Sequence, residues 1–222
     1  MGFESSDNES RSRFSEASAL LNFLRQTAPP DFTPLDDIQK AYRGLWLVSM
    51  YGAVERSVNA IVESAIQVVS SHGSRSIDCV PSLHSIFHYS KIQSVQSCGR
   101  GKVFDSSVSL FEASLSSAAM IGSDNTLSES LQNVDASTMR WVAKLFGTSP
   151  LIIDGPVAGR LSTLRERRNA IAHGRESASE VGERYTVEEM QKVYEASDAA
   201  VTAFSLSMKD HCDNKKYLKL SA

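Results

Sequence analysis

Residues Leu35–Val69 read LDDIQKAYRGLWLVSMYGAVERSVNAIVESAIQVV, and they indicate the fold class more clearly than any other stretch. Apolar residues recur every three or four positions, the spacing that places them on one side of an α-helix. The stripe consists of Leu35, Ile38, Ala41, Leu45, Val48, Tyr51, Val54, Val58, Ile61, Ala65 and Val68. Thr33-Pro34 is typical of a helix start, because Thr caps free N–H groups and Pro fits the first turn. We therefore predict one long helix from Thr33-Pro34 to about His72.

Trp46, Leu47 and Met50 widen the apolar side of this long helix beyond a single stripe. A wider apolar surface lets more than one element pack on the same helix. We predict that a further partner, such as a second subunit, packs on these three residues.

The other apolar patterns in the chain also have helical spacing, and no alternating pattern of useful strand length is present. Six further helices are predicted. The first passes through Phe14, Ala17, Leu21 and Leu24 and ends near Ala28-Pro29-Pro30, the second spans Ser82–Val95, and the third passes through Phe104, Val108, Phe111 and Leu115. The fourth runs from Asp135 to Gly147, the fifth covers Pro156–His173 and is closed by Gly174, and the sixth is opened by the capping box Thr186–Glu189. The prediction is an all-α, up-and-down helical bundle. It forms a single domain over residues 1–222, with a less regular insertion at about 73–134 and a polar tail at 209–222.

The bulk composition is that of an ordinary globular protein, with 41% hydrophobic and 22% charged residues and a net charge of −3. Any contact with a polyanion must therefore use a local basic patch. No apolar run is long enough for a membrane span, and the polar start is unlike a secretory signal. We expect a cytoplasmic protein with no membrane association.

The cysteines and paired histidines give no metal-site pattern. Cys79, Cys98 and Cys212 are odd in number and far apart, which fits free thiols in a reducing compartment. His84 and His88 have the i, i+4 spacing of helical metal ligands, but no third ligand is apparent. We predict no metal site and no cofactor.

The stretch Arg165–Glu176, RERRNAIAHGRE, gathers four arginines and one histidine near the end of a predicted helix. Asn169 and His173 are one turn apart and share a face, and Arg165 lies one turn before Asn169. The long side chain of Arg168 reaches the same edge. A guanidinium, an amide and an imidazole are thus predicted to converge at the helix end.

These residue types suit RNA cleavage without a metal, in which the 2′-hydroxyl attacks the neighbouring phosphorus and the 5′-oxygen leaves. Histidine transfers protons near neutral pH, and arginine presents donors that match phosphate oxygens. The negative end of a helix favours protonated histidine, which suits an acid. The alternative interpretation is structural, because Arg and His are common in the last turn of any helix.

The segment Arg168–Gly174, RNAIAHG, resembles the R-N-x-x-x-H signature of HEPN domains, and is most similar to the RiboL-PSP type. Three other segments resemble the same group: Leu45–Val58, Asn133–Gly147 and Tyr185–Phe204. The likeness spans about residues 35–208, is weakest across 73–134, and places the motif on the penultimate helix.

The resemblance implies a metal-independent endoribonuclease, usually a homodimer with a composite site, that serves as a toxin or antiviral-defence effector. Its partners would be RNA and an antitoxin or defence-system protein. Carried over by position, Arg168 would hold the phosphate, His173 would be the acid/base, Asn169 would assist, and Glu55 would orient the arginine. We add Arg165, Arg167 and Arg175 as expected contacts to the RNA backbone.

One residue departs from a related group of toxins, in which a Tyr two residues after the histidine is modified by the antitoxin. Arg175 stands there in this chain. Silencing by tyrosine modification is therefore not expected at that position. Two alternatives to the nuclease remain: a non-catalytic HEPN module that binds RNA, nucleotide or a protein, and a helical adaptor subunit.

Overall fold

The computed structural model of the protein describes residues 2–29, 33–116 and 122–219. Within these ranges the regular structure is helical, apart from one isolated bridge between Cys79 and Leu218. The helices are α1 (Glu4–Gln26), α2 (Asp37–Ser71), α3 (His84–Phe87), α4 (Tyr89–Ser97), α5 (Val103–Leu115), α6 (Ala136–Phe146), α7 (Gly155–Ala172), α8 (Ala178–Gly182) and α9 (Val187–Asp213). The prediction of an all-α bundle is confirmed.

Helix α2 is the centre of the bundle and packs against α1, α7, α8 and α9. The prediction that Trp46, Leu47 and Met50 face another partner is wrong, because each is at most 1% exposed. Helix α1 packs on Trp46, whose indole N–H donates to the Ala17 carbonyl at 2.8 Å. These residues belong to the core of one chain.

The first turns of α2 differ from the sequence prediction in two ways. The helix begins after Asp36, not at Thr33-Pro34, because Asp36 and Gln39 form a reciprocal capping box. Ile38 and Leu45, expected in the buried stripe, are 66% and 50% exposed. Leu45 lies about 100° around the helix from Trp46, so α1 buries one and leaves the other in solvent.

Two glycines let the short helix α8 lie directly on α2. A Cβ at Gly44 would lie 2.0 Å from the Ala178 carbonyl oxygen, and one at Gly182 would lie 1.9 Å from the Lys40 oxygen. Helix α8 has no counterpart in the sequence prediction. The motif helix α7 is therefore the third helix from the end, not the penultimate one.

The ends of α6, α7 and α9 follow their predicted signals. Asp135 accepts from the Thr138 N–H and begins α6, and Gly147 ends it in the left-handed conformation. Gly174, with φ 66°, follows the end of α7. Thr186 and Glu189 form the predicted capping box of α9.

The predicted insertion contains more regular structure than expected. Helices α3 and α4 occupy the stretch predicted as one helix over Ser82–Val95. Helix α5 forms as expected but turns its apolar side to solvent, with exposures of 54–82%. The exposed residues are Phe104, Val108, Phe111 and Leu115. Residues 30 and 117–121, part of the expected loops, lie outside the described residues.

The described part of the predicted polar tail, residues 209–219, is more ordered than expected. Helix α9 continues to Asp213, and the Tyr217 side chain is 1% exposed. The Val80 N–H donates to the Tyr217 carbonyl at 2.9 Å, so this end anchors the start of the insertion. Among the described helices, none has the length and apolar composition to cross a membrane.

Candidate active site

The guanidinium of Arg168 lies at the centre of the candidate site, between α7 and α2. Helix α7 turns Leu161 and Leu164 into the core, which leaves the Arg168 side chain 19% exposed at the junction. One Nη donates to Glu55 Oε2 at 2.5 Å, and the other donates to Asn169 Oδ1 at 2.8 Å. The guanidinium carbon lies 4.1 Å from the centre of the Tyr51 ring, a cation–π arrangement.

Five consecutive residues, 131–135, which we call the strap, run along the site and contact it at every position. From α2, Asn59 donates to the Leu131 carbonyl at 3.3 Å and the Tyr51 hydroxyl donates to the Val134 carbonyl at 3.2 Å. From α7, Arg168 donates to the Gln132 carbonyl at 3.2 Å, Asn169 donates to Asn133 Oδ1 at 3.2 Å, and Arg165 forms an ion pair with the Asp135 carboxylate. The strap therefore satisfies the polar groups of both helices and holds Arg168 and Asn169 in position relative to α2.

Burial changes the acid–base properties of the groups around Arg168. It raises the pKa of the Glu55 carboxyl, although the Arg168 charge and hydrogen bonds act to lower that pKa. Burial is also the largest cause of the raised pKa of Tyr51, which therefore remains a hydrogen-bond donor. At Asp135 burial raises the pKa, but hydrogen bonds from Ser137 and Thr138 and the Arg165 charge outweigh it and lower the pKa overall.

His173 lies at the C-cap of α7, where its N–H donates to the Asn169 carbonyl at 3.1 Å. Its side chain is exposed and has no hydrogen-bond or ion-pair partner among the described residues. The structure therefore brings Arg168, Asn169 and Glu55 together, whereas His173 stands apart from them, one turn beyond Asn169.

The three arginines expected to contact RNA have different surroundings. Arg165 is ion-paired with the strap residue Asp135, which neutralises its charge. Arg167 lies 3.7 Å from Glu176, which also pairs with Arg184 at 3.0 Å. Arg175 is exposed and has no side-chain partner in the described part of the chain.

Four residues that build the site escape sequence reasoning: Tyr51, Gln132, Asn133 and Asp135. The spacing of Tyr51 fits the apolar stripe and predicts packing alone, and the position of Asp135 predicts only an N-cap. Gln132 contributes a backbone carbonyl, which no side-chain pattern reports. The one signal in the sequence that points to this segment is that Asn133 lies two positions before the predicted helix cap Asp135.

No group of three or more potential metal ligands among His, Cys, Asp and Glu occurs in the described ranges. One helix presents a half-buried guanidinium, an amide and a solvent-exposed imidazole. These groups suit binding of a phosphate and transfer of a proton.

A helical bundle with this motif at the end of one helix defines the HEPN class of fold. The family model RiboL-PSP-HEPN matches residues 8–205, which is most of the chain. The protein belongs to the RiboL-PSP-HEPN family, and HEPN domains are a family of ribonucleases. Searches of curated proteins and of solved structures found no match to this chain.

Proposed function

We propose that the protein is a metal-independent endoribonuclease. The observation that supports this best is the fixed Arg168–Asn169 pair, one turn before an exposed and unpaired His173. A guanidinium held by Glu55 and stacked on Tyr51 is preorganised to bind a phosphate, which lowers the cost of stabilising an anionic phosphorane.

The cleavage step needs two proton transfers, one from the RNA to a base and one from an acid to the RNA. The 2′-oxygen loses its proton and bonds to the adjacent phosphorus, while the bond from phosphorus to the 5′-oxygen breaks and that oxygen takes a proton. The products are a 2′,3′-cyclic phosphate and a 5′-hydroxyl. Arg168 neutralises the phosphorane oxygens, and His173 is the proton donor or acceptor.

Within the described part of one chain, His173 is the only histidine at this site, and two proton transfers are needed. We therefore propose a homodimer in which the motif helices of two copies face each other and form a composite site. One His173 is the acid and the other is the base. The biological role we propose is that of a toxin or defence effector, controlled by an antitoxin or another defence-system protein.

A second function is favoured by the contacts of Arg168 itself. Glu55, Asn169 and the Gln132 carbonyl already occupy three of its N–H donors, which leaves fewer donors for a phosphate. An arginine whose donors are used within the fold is consistent with a non-catalytic HEPN module, which binds RNA, nucleotide or a protein through its surface.

A cleavage assay separates the two functions. Wild type, His173→Ala and His72→Ala are incubated with tRNA and single-stranded RNA in excess EDTA, and the product ends are identified. His72 is a matched control because it is an exposed histidine at the C-cap of α2. We expect cyclic-phosphate ends from wild type and His72→Ala, and roughly a 10²–10⁴-fold lower rate from His173→Ala.

Equal rates from wild type and His173→Ala would contradict the assigned histidine. RNA binding without cleavage by any of the three proteins would favour the non-catalytic module.

A further inference from the structure

A groove lies between the first half of α7 and the start of α9, on the same helix as the motif. Its volume is about 480 Å³, and six of its lining residues are Pro156, Gly159, Arg160, Thr163, Tyr185 and Lys192. A Cβ at Gly159 would meet no atom within 4 Å, so the floor of the groove is open at the motif helix.

The groove is positively charged. Arg160 and Lys192 are exposed, and neither has an ion-pair or hydrogen-bond partner among the described residues. Glu189 is the acidic residue of the lining, and its Oε2 accepts from the Thr186 N–H at 2.7 Å as part of the α9 capping box. The groove therefore holds two cations without partners, Arg160 and Lys192, and one carboxylate, Glu189, that already accepts a hydrogen bond.

One face of α7 runs from the groove toward Arg167, whose guanidinium is 3.7 Å from Glu176. Arg160, Thr163 and Arg167 follow one another at i, i+3 and i+7, so they share one face of the helix. The Nε of Arg167 is buried and has no hydrogen-bond partner in the described part of the chain. Along the helix axis, Arg160 lies roughly 20 Å from His173. His173 lies about 140° around α7 from Arg160, so a single strand would have to pass around the helix between the groove and the motif.

We propose that this groove binds the phosphate backbone of single-stranded RNA on one side of the cleaved bond, with Arg160 and Lys192 as the phosphate contacts. The proposal rests on the proposed function, because RNA is the ligand in both. The span from the groove to the motif is compatible with binding sites of roughly 4–16 nucleotides on single-strand-binding proteins. The groove supplies affinity without base specificity, because cations that contact phosphates carry no sequence information.

The experiment measures RNA binding in the His173→Ala background, so that no cleavage occurs. A fluorescein-labelled single-stranded RNA of mixed sequence is titrated with the parent, with Arg160→Gln/Lys192→Gln, and with Lys144→Gln/Lys215→Gln at several salt concentrations. The last variant is the control, because it removes two other exposed cations without side-chain partners in the described ranges, on α6 and after α9.

We expect Arg160→Gln/Lys192→Gln to bind RNA roughly tenfold more weakly at low salt. Its plot of log affinity against log salt should be shallower by about 1.4, because two phosphate contacts on a single strand are lost. The control should match the parent. With His173 restored, the groove variant should show a raised KM and a kcat close to that of wild type.

Parent-like affinity and salt slope in the groove variant would overturn the proposal, and so would an equal loss in the control. If wild type cleaves RNA through His173 while the groove variant binds normally, the nuclease stands and the groove assignment fails. If no protein cleaves RNA but the groove variant alone binds it more weakly, the groove stands and the nuclease fails. An absence of RNA binding by the parent would overturn both.

Discussion

Arg168 makes a set of contacts that requires the several N–H donors and the planar shape of a guanidinium. It donates to a carboxylate, an amide oxygen and a backbone carbonyl while it stacks on Tyr51. A lysine ammonium is a point charge without the planar fork, so it would not reproduce these contacts. The position is therefore specific for arginine in the folded chain as well as in the proposed reaction.

Glu55 gives a prediction for a single residue, because burial raises its pKa in the folded protein. The unfolded chain titrates this carboxyl near its ordinary value of about 4.3, so ionised Glu55 lowers the stability of the fold above that pH. The stability of wild type relative to Glu55→Gln should therefore fall as pH rises through the acidic range above about 4. Urea unfolding of both proteins across this range measures the difference.

The same Glu55→Gln protein should cleave RNA more slowly, because a neutral amide holds Arg168 less firmly than a carboxylate does. A relative stability that rises with pH would show that the Arg168 charge outweighs burial at Glu55, and would contradict a raised pKa for this carboxyl.

The strap is the element on which the geometry of the site depends. It carries no catalytic group of its own, yet each of its five residues contacts α2 or α7. The strap is also where the insertion ends and α6 begins. A change in the insertion therefore reaches Arg168 and Asn169 through the hydrogen bonds of the strap.

Asn133→Ala tests the strap as a positioning element. Loss of the Asn133 acceptor frees Asn169, so we expect kcat to fall roughly tenfold, with KM and the melting temperature nearly unchanged. Asn133→Asp keeps the acceptor oxygen and should restore most of the rate. Asn214→Ala is the control, since among the described residues this exposed amide bonds only to Asp210. An unchanged kcat in Asn133→Ala would contradict a positioning role.

The contact between α2 and α8 gives a second prediction for the elements. Gly44→Ala places a methyl group 2.0 Å from a backbone oxygen, which forces the helices apart and should cost about 3 kcal/mol or more. Gly52→Ala, on the same helix, meets no atom within 4 Å and should stabilise the protein by about 0.5–1 kcal/mol. Chemical denaturation of both variants at one protein concentration measures the two changes. Equal effects would show that helix propensity, not the close contact, governs both sites.

The stability of the whole molecule in acid depends on histidines buried where the insertion meets the end of α9. His211 is 1% exposed, and within the described ranges no well-aligned hydrogen bond satisfies its ring nitrogens, although the Phe146 carbonyl is close. Burial is the main cause of its lowered pKa; Lys216 lowers the pKa further, while the Phe146 carbonyl and Asp210 raise it. Burial likewise lowers the pKa of His88.

A histidine with a lowered pKa stays neutral in the fold while the unfolded chain takes up a proton. Stability should therefore be full above about pH 6.5 and fall below it, by at most about 1.4 kcal/mol per pH unit for each such histidine. His211→Leu should reduce this slope, and His72→Leu, at an exposed position, should not. Urea unfolding at pH 7.5, 6.5 and 5.5 gives the slopes. A wild-type slope that His211→Leu leaves unchanged would assign the acid sensitivity to other groups.

The fold class, the long central helix and most helix ends follow from local sequence patterns. These features depend on residues within about four positions of one another, such as the Asp135 cap, the Thr186–Glu189 capping box and the turn at Gly174. The motif on α7 is equally local, and it indicates the family whose model matches residues 8–205.

Which side chains meet at the site depends instead on how the helices pack. Arg168 pairs with Glu55 across 113 positions, and Tyr51 donates to Val134 across 83. Periodicity reports which face of a helix is apolar but not which neighbour covers it, and so it misplaces the buried Trp46 and the exposed Leu45. Hydrogen bonds and ion pairs act over a few ångströms, and such distances between remote residues exist only after the helices have packed.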